Sequence, residues 1–163
     1  MAKVFVVSKK IHVKAPIERC FLLSTHLDLA KRSVKLRLVP KKSTRTAGLF
    51  EAGDQMMWRG WVYGLPLKHQ GKVTKYEQPE YFQNCMERGR FQRFEYDHFL
   101  AEIGGQTLLK DKIRFSLPAG WLLGPMVKFF LVPYMERALV RRLRLLKQVA
   151  ETDEWKNYLS DEP

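Results

Sequence analysis

The sequence predicts an α+β domain in which one curled antiparallel sheet wraps around a long C-terminal helix. Three observations lead there. The chain has 163 residues, 45% of them hydrophobic and 12% aromatic, which suits a single domain (1–163) with a sizeable core. Between residues 34 and 115, short β-rich runs alternate with Gly and Pro turns, the spacing of an antiparallel sheet that curls. From 121 to 150 the period becomes helical: Val132, Met135, Leu139, Leu143, Leu146 and Ala150 fall on one stripe, with Arg137, Arg141, Arg144 and Gln148 opposite. A sheet bent this far seldom closes tightly on a helix, so an apolar cavity between them is expected.

In chain order, residues 3–13 are rich in Val, Phe and Ile and read as a first strand. Ala15-Pro16-Ile17-Glu18 reads as a helix entry, with proline preset for the first turn and Glu18 at the positive end of the helix dipole. A second short helix is expected at 27–32, capped by Thr25 or the residues just after it. Strands are expected at 34–40, 53–63, 67–76 and 80–86, with a polar loop at 41–46. Gly64-Leu65-Pro66 should break the second of these runs, and Glu87-Arg88-Gly89-Arg90 should turn after the last. After Leu117-Pro118-Ala119-Gly120 the long helix begins, with Pro125 in its first turn and Pro133 inside the pattern, where it should kink or split the helix. The acidic tail, 151–163, is expected to fray at its end.

The segment 91–115 fixes its own register. Gly104-Gly105 can take the positive φ angles of a two-residue hairpin turn. If it does, Leu100 faces Leu109, His98 faces Asp111, Tyr96 faces Ile113 and Phe94 faces Phe115, all on one mostly apolar surface. The other surface then pairs Glu95 with Arg114 and Asp97 with Lys112. A one-residue slip would destroy both patterns together.

The formal net charge of +12 favours anionic partners such as nucleic acid or acidic headgroups, although many basic domains bind no polyanion. Cys20 and Cys85 are far apart and in no metal-like spacing, which points to a reducing cytoplasm. The N-terminus does not read as a signal peptide, and no run is long and apolar enough for a membrane span.

Several motifs resemble the START/birch-pollen-allergen superfamily (SRPBCC, polyketide cyclase/dehydrase-like). They are Ile11-x-x-x-Ala15-Pro16-x-Glu18-x-x-Phe21, Gly64-x-Pro66 and Gly89-x-Phe91-x-x-Phe94-x-x-x-His98, followed by Thr107-x-x-x-Asp111-x-Ile113 and Pro118-x-Gly120. The resemblance covers most of the chain and implies the helix-grip fold. Its members include lipid and sterol carriers, plant hormone receptors, aromatase/cyclases and quinone-binding proteins. Bacterial ligand-binding members usually carry a His-x-His pair where this chain has Tyr96 and His98. His69 replaces the aromatic usual shortly after the Gly-x-Pro.

His98 facing Asp111 on an apolar surface is the sharpest chemical feature. Asp111 would orient the imidazole and stabilise its cation, making His98 a general acid or base, with Tyr96 donating to a ligand carbonyl. The plain alternative is a buried polar pair whose members satisfy each other. Met56, Met57, Trp58, Trp61, Phe94, Phe115, Met135 and Leu139 are candidates to line a pocket, or are simply core. The ligand-contacting set expected from the hairpin and helix is Trp58, Phe94, Tyr96, His98, Leu100, Leu109, Asp111, Ile113, Phe115, Met135 and Leu139. His12, His26 and His69 show no metal-ligand spacing and no role is assigned to them. Arg137, Arg141, Arg142, Arg144 and Lys147 form a basic cluster on the last helix, either a solvated face or a surface for an anionic membrane or nucleic acid. Phosphate loops, a serine nucleophile elbow and carboxylate dyads are not recognised, so no cofactor is expected. The expected function is binding of a hydrophobic small molecule or lipid between sheet and helix. A cyclase/dehydratase using His98 and Asp111, and an interaction module using the basic surface, are the alternatives.

Overall fold

The computed structural model describes residues 3–118 and 124–159. Seven strands form one antiparallel sheet in the order β1-β7-β6-β5-β4-β3-β2: β1 (Phe5–Val13), β2 (Arg37–Leu38), β3 (Gln55–Val62), β4 (Leu65–Glu77), β5 (Tyr81–Arg88), β6 (Arg93–Ile103) and β7 (Gln106–Ser116). Two short helices, α1 (Ile17–Ser24) and α2 (Leu27–Ser33), follow β1. The long helix α3 (Val132–Glu151) lies in the concave face of the sheet and packs chiefly on β1, α1 and α2. This is the α+β architecture expected from the pattern.

The β6–β7 hairpin has the expected register: Leu100 opposite Leu109, His98 opposite Asp111, Tyr96 opposite Ile113 and Phe94 opposite Phe115. Its turn is Gly104-Gly105, with φ of 58° and 77°, values that a side chain would make costly. On the convex face Glu95 meets Arg114 at 3.0 Å as expected. Asp97 faces Lys112 in the register, as expected, but its carboxylate turns to another partner. It bonds the diagonal Arg114 at 2.9 Å, because the longer, forked guanidinium reaches both carboxylates at once.

The cap of α2 falls just after Thr25, as expected: His26 is the N-cap, while the Thr25 hydroxyl donates to the Phe21 and Leu22 carbonyls and closes α1. Two other expectations need correction. The strand expected at 34–40 shrinks to Arg37–Leu38, since Pro40 has no N–H to extend the ladder and opens a 3₁₀ turn, Pro40–Lys42. The break after β3 is the two-residue turn Tyr63-Gly64, and Leu65 and Pro66 already belong to β4, paired with Val62 and Trp61. The chain beyond α3 stays on the core as far as Leu159: Thr152 caps a 3₁₀ turn (Asp153–Trp155), α4 (Lys156–Leu159) follows, and Arg19 covers the Trp155 ring at 4.2 Å. The end of the tail, the Ala119-Gly120 turn and the expected helix start at 121 lie outside the described residues.

The regular α-helix is interrupted just ahead of Pro133, as expected, and resumes with Pro133 in its first turn. The backbone is helical from Gly124, widens into a π-turn at Val127–Leu131, and continues as α3. Proline has no N–H for the carbonyl four residues back, and a wider turn re-spaces the bonds around that gap. The stripe expected on α3 is buried at Met135, Leu139, Leu143, Leu146 and Ala150.

The interior forms two apolar clusters. The larger joins α1, α2 and the C-terminal half of α3 to Val73, Phe82, Leu100 and Leu109. The smaller gathers Val7, Ile113, Phe115, Val127, Met135 and Leu139, with Phe91, Phe94 and Tyr134 at its margin.

Candidate functional site

Between these two clusters lies a row of polar side chains from three strands and the helix. Strand alternation puts Asn84 on β5, Tyr96 and His98 on β6 and Asp111 on β7 on the concave face. His98 and Asp111 are each only 2% exposed. Asp111 Oδ1 is 3.0 Å from His98 Nδ1, and its Oδ2 accepts from the Tyr96 hydroxyl at 2.9 Å. The fifth member is Arg142, whose Nη1 donates to Asp111 Oδ2 at 2.6 Å and whose Nη2 donates to the Ser24 carbonyl at 3.3 Å.

Arg142 corrects the sequence reading, which placed it on the solvated basic face. Met135, Leu139, Arg142, Leu146 and Val149 repeat at spacings of four and three, the inward seam of the helix. Its charge disguised a buried position that its spacing announces. The other members of that cluster separate. Arg141 donates to the Ser33 carbonyl, Arg137 to the Tyr63 hydroxyl, and Lys147 to the His12 carbonyl and Glu151, while Arg144 is exposed.

Electrostatics fix the protons. Burial pushes the Asp111 carboxyl up, but the Arg142 cation, His98 and Tyr96 more than offset it and hold it at about 2. Burial pulls His98 down to about 4, against the pull of Asp111. The imidazole is therefore neutral at neutral pH and donates its Nδ1–H to the carboxylate, leaving Nε2 as an acceptor. Asn84 Nδ2 meets that nitrogen at 3.3 Å. The Asn84 carbonyl oxygen must then point away, and it is buried with no hydrogen-bond partner. Phe82 stacks on the imidazole at 4.1 Å between ring centroids.

His98 is thus a poor general base: its lone pair is already engaged and its proton affinity is low. What the row offers is a fixed set of buried polar contacts between the two apolar clusters. Asn84 escaped the sequence reading because its strand has no tight turn to set its register against β6.

The residues expected to touch one ligand divide between the two clusters. Trp58, Leu100 and Leu109 pack with the larger one, with Leu100 and Leu109 fully inside it. Phe94, Tyr96, Ile113, Phe115, Met135 and Leu139 gather in the smaller. Met56 is buried core, whereas Met57 and Trp61 alternate to the convex face, and Trp61 is 69% exposed. The concave face is covered unevenly. Val73, Phe82, Leu100 and Leu109 are buried, but Trp58, Val62, Leu67, His69 and Phe94 remain partly open, and Leu65 is exposed. His69 belongs to this open part, 4.8 Å from Phe94 and 6.3 Å from Phe91 between ring centroids. Among the described residues no group of His, Cys, Asp and Glu could hold a metal ion, and no helix is long and apolar enough to cross a membrane. Cys20 and Cys85 are free thiols.

No family model and no curated protein sequence matches the chain. Solved structures do. A protein from Thermus thermophilus superposes with a TM-score of 0.68 at 16% identity, over 90% of this chain and 99% of that one. A START superfamily protein from Mycobacterium smegmatis gives 0.65 at 16% identity, over 90% and 97%. The Zhui aromatase/cyclase from a Streptomyces species gives 0.67 at 15% identity, over 91% and 94%.

Proposed function

From the premise that this chain has the START/birch-pollen-allergen fold, we propose that it binds a hydrophobic small molecule bearing a hydroxyl or similar donor group. The observation that carries this reading is the uneven cover of the concave face, open along Trp58, Leu67, His69 and Phe94 and ending at the buried, unpartnered oxygen of Asn84. An apolar body would lie against Phe94, Met135 and Tyr134, with its donor reaching Asn84 Oδ1 and the Tyr96 ring beside it. Arg142 and Asp111 hold Tyr96 and His98 in place and contribute no free charge to the space.

A cyclase-type proton transfer by His98, the chemistry suggested by the aromatase/cyclase neighbour, agrees less well with a neutral imidazole whose two nitrogens are both engaged. The test is native mass spectrometry of the purified protein, followed by denaturing extraction of what it carries. A co-purifying hydrophobic compound whose retention is lost in Leu67→Trp and weakened in Asn84→Ala supports the reading. Apo protein with no thermal shift across a library of lipids and hydroxylated aromatics overturns it, and multiple turnover of any bound compound would favour the enzyme instead.

A further inference from the structure

The open end of the concave face is bounded by two segments that expose large apolar side chains together. One is the β3–β4 tip, with Trp61, Tyr63 and Leu65, and the other is the π-turn region, with Met126, Phe129 and Phe130. All six are more than half exposed, Phe129 and Trp61 the most at 71% and 69%. The two segments are locked to one another. The Tyr63 ring lies 6.2 Å from Phe130 and 5.7 Å from Tyr134, and its hydroxyl donates to the Phe130 carbonyl at 3.1 Å. Tyr63 holds a left-handed backbone, φ 48°, which a residue with a side chain keeps only when its surroundings enforce it.

The stretches of chain that carry this patch hold basic residues and no carboxylate. No carboxylate occurs between Asp28 and Glu51, between Asp54 and Glu77, or between Asp111 and Glu136. Those three stretches supply β2, β3, most of β4 and the π-turn, so they surround the patch. Lys128 sits inside the π-turn, Arg59 pairs with Lys68 and Arg37 across the strands just behind the tip, and Arg137 donates to the Tyr63 hydroxyl.

We propose that this lip, and not the basic face of α3, docks the protein on an anionic lipid bilayer, the aromatic tip entering the interfacial layer while the flanking Lys and Arg meet the headgroups. Aromatic rings with a polar edge favour that layer, and basic side chains next to it are drawn to the acidic leaflet. From Trp61 to the turn the strand advances roughly 7–10 Å, which matches the depth reached by interfacial anchors. Six large apolar side chains exposed on one rim, flanked by Lys and Arg, match the apolar and anionic layers of an acidic leaflet. Docking requires no ligand in the interior, so it stands or falls separately from the binding role above.

The test is co-sedimentation of the full chain with vesicles of phosphatidylcholine alone and of phosphatidylcholine mixed with phosphatidylserine. Binding should be confined to the acidic vesicles and weaken as salt is raised. The double variant Trp61→Ser/Phe129→Ser should lower the partition constant by about tenfold or more, and Lys128→Gln by about fivefold. Both should keep the wild-type melting temperature, because these side chains are exposed. Hydrogen exchange on the wild-type chain gives a reading that needs no variant: amides at 61–65 and 124–131 should slow on acidic vesicles. Absence of binding to acidic vesicles, equal binding to neutral ones, or binding that the double variant leaves intact overturns the proposal. So does a concentration-dependent dimer that the double variant abolishes, which would assign the lip to a second copy of the chain.

Discussion

Two aspartates, each 2% exposed, sit on opposite faces of the same β6–β7 hairpin and are dressed alike. On the convex face Asp97 accepts from the Tyr81 hydroxyl at 2.5 Å, from Gln83 at 2.8 Å and from Arg114 at 2.9 Å. On the concave face Asp111 has Tyr96, His98 and Arg142. The partners differ in origin and in access to water. Everything around Asp97 comes from the sheet itself, and its arginine is 35% exposed at the side chain. Around Asp111 the arginine comes from α3, reaches across the interior, and is 13% exposed. The outer cluster staples neighbouring strands under a wet lid, whereas the inner one ties the helix to the sheet in a dry layer. The same chemical set therefore carries very different consequences when a member is lost.

The largest expected effect follows directly. Arg142→Ala leaves Asp111 and its neighbours without their cation in a dry interior and should cost about 3–5 kcal/mol in denaturant unfolding, while Arg114→Ala should cost under about 1 kcal/mol. Equal losses would erase the distinction between the two clusters. A sharper version replaces both inner partners, Arg142→Met with Asp111→Leu, which should recover most of the loss because no buried charge is stranded.

Acid should separate the two clusters next. His98 titrates near 4 in the folded chain against about 6.5 when unfolded, so the unfolded state takes up its proton first. Its contribution is complete above about pH 6.5 and is lost as pH falls toward 4, about 2–3 kcal/mol over that window. Around Asp97, burial works against ionisation, but Tyr81, Gln83 and Arg114 prevail and hold the carboxyl below its ordinary value. Its contribution is present above the unfolded carboxylate range and fades only in stronger acid. Unfolding free energy measured from pH 7 to 4 should slope downward, and His98→Gln should flatten that slope. An unchanged slope would mean that the imidazole is not buried in its neutral form.

Smaller effects test the outer cluster by itself. Asp97→Asn should cost about 1–2 kcal/mol, since the amide keeps some of these bonds and loses the charge. Tyr81→Phe, which removes a single donor to Asp97, should cost about 1 kcal/mol. Melting curves of the two variants would rank them, and a Tyr81→Phe loss above that of Asp97→Asn would contradict the assigned geometry.

The sequence makes the β6–β7 hairpin legible because two independent patterns, apolar inside and paired charge outside, both demand one register. The inner pair His98–Asp111 is legible for the same reason. Arg142 is hidden because its residue type suggests solvent while the four-three spacing from Met135 to Val149 points inward. Asn84 and the Arg114–Asp97 diagonal depend on how β5 and the side chains settle across strands, which no local turn dictates. The short β2 and the docked chain at Trp155 and Leu159 are tertiary effects. Pro40 ends one, and contact with α1 and the core holds the other.

The π-turn at Val127–Leu131 makes the lip adjustable by the genetic code in single steps. It holds one residue more than the α-helical path would, so deleting any one of its five residues would remove that widening and leave Pro133 to bend the tighter helix in its place. Everything before it would turn by about 100° relative to α3 and shorten by about 1.5 Å. Met126, which faces solvent, would swing toward a different neighbour while Met135, Leu139 and Arg142 kept their places. A lineage can in this way re-aim the rim of the domain through a codon-sized deletion or insertion, with the sheet and the buried ion network left untouched.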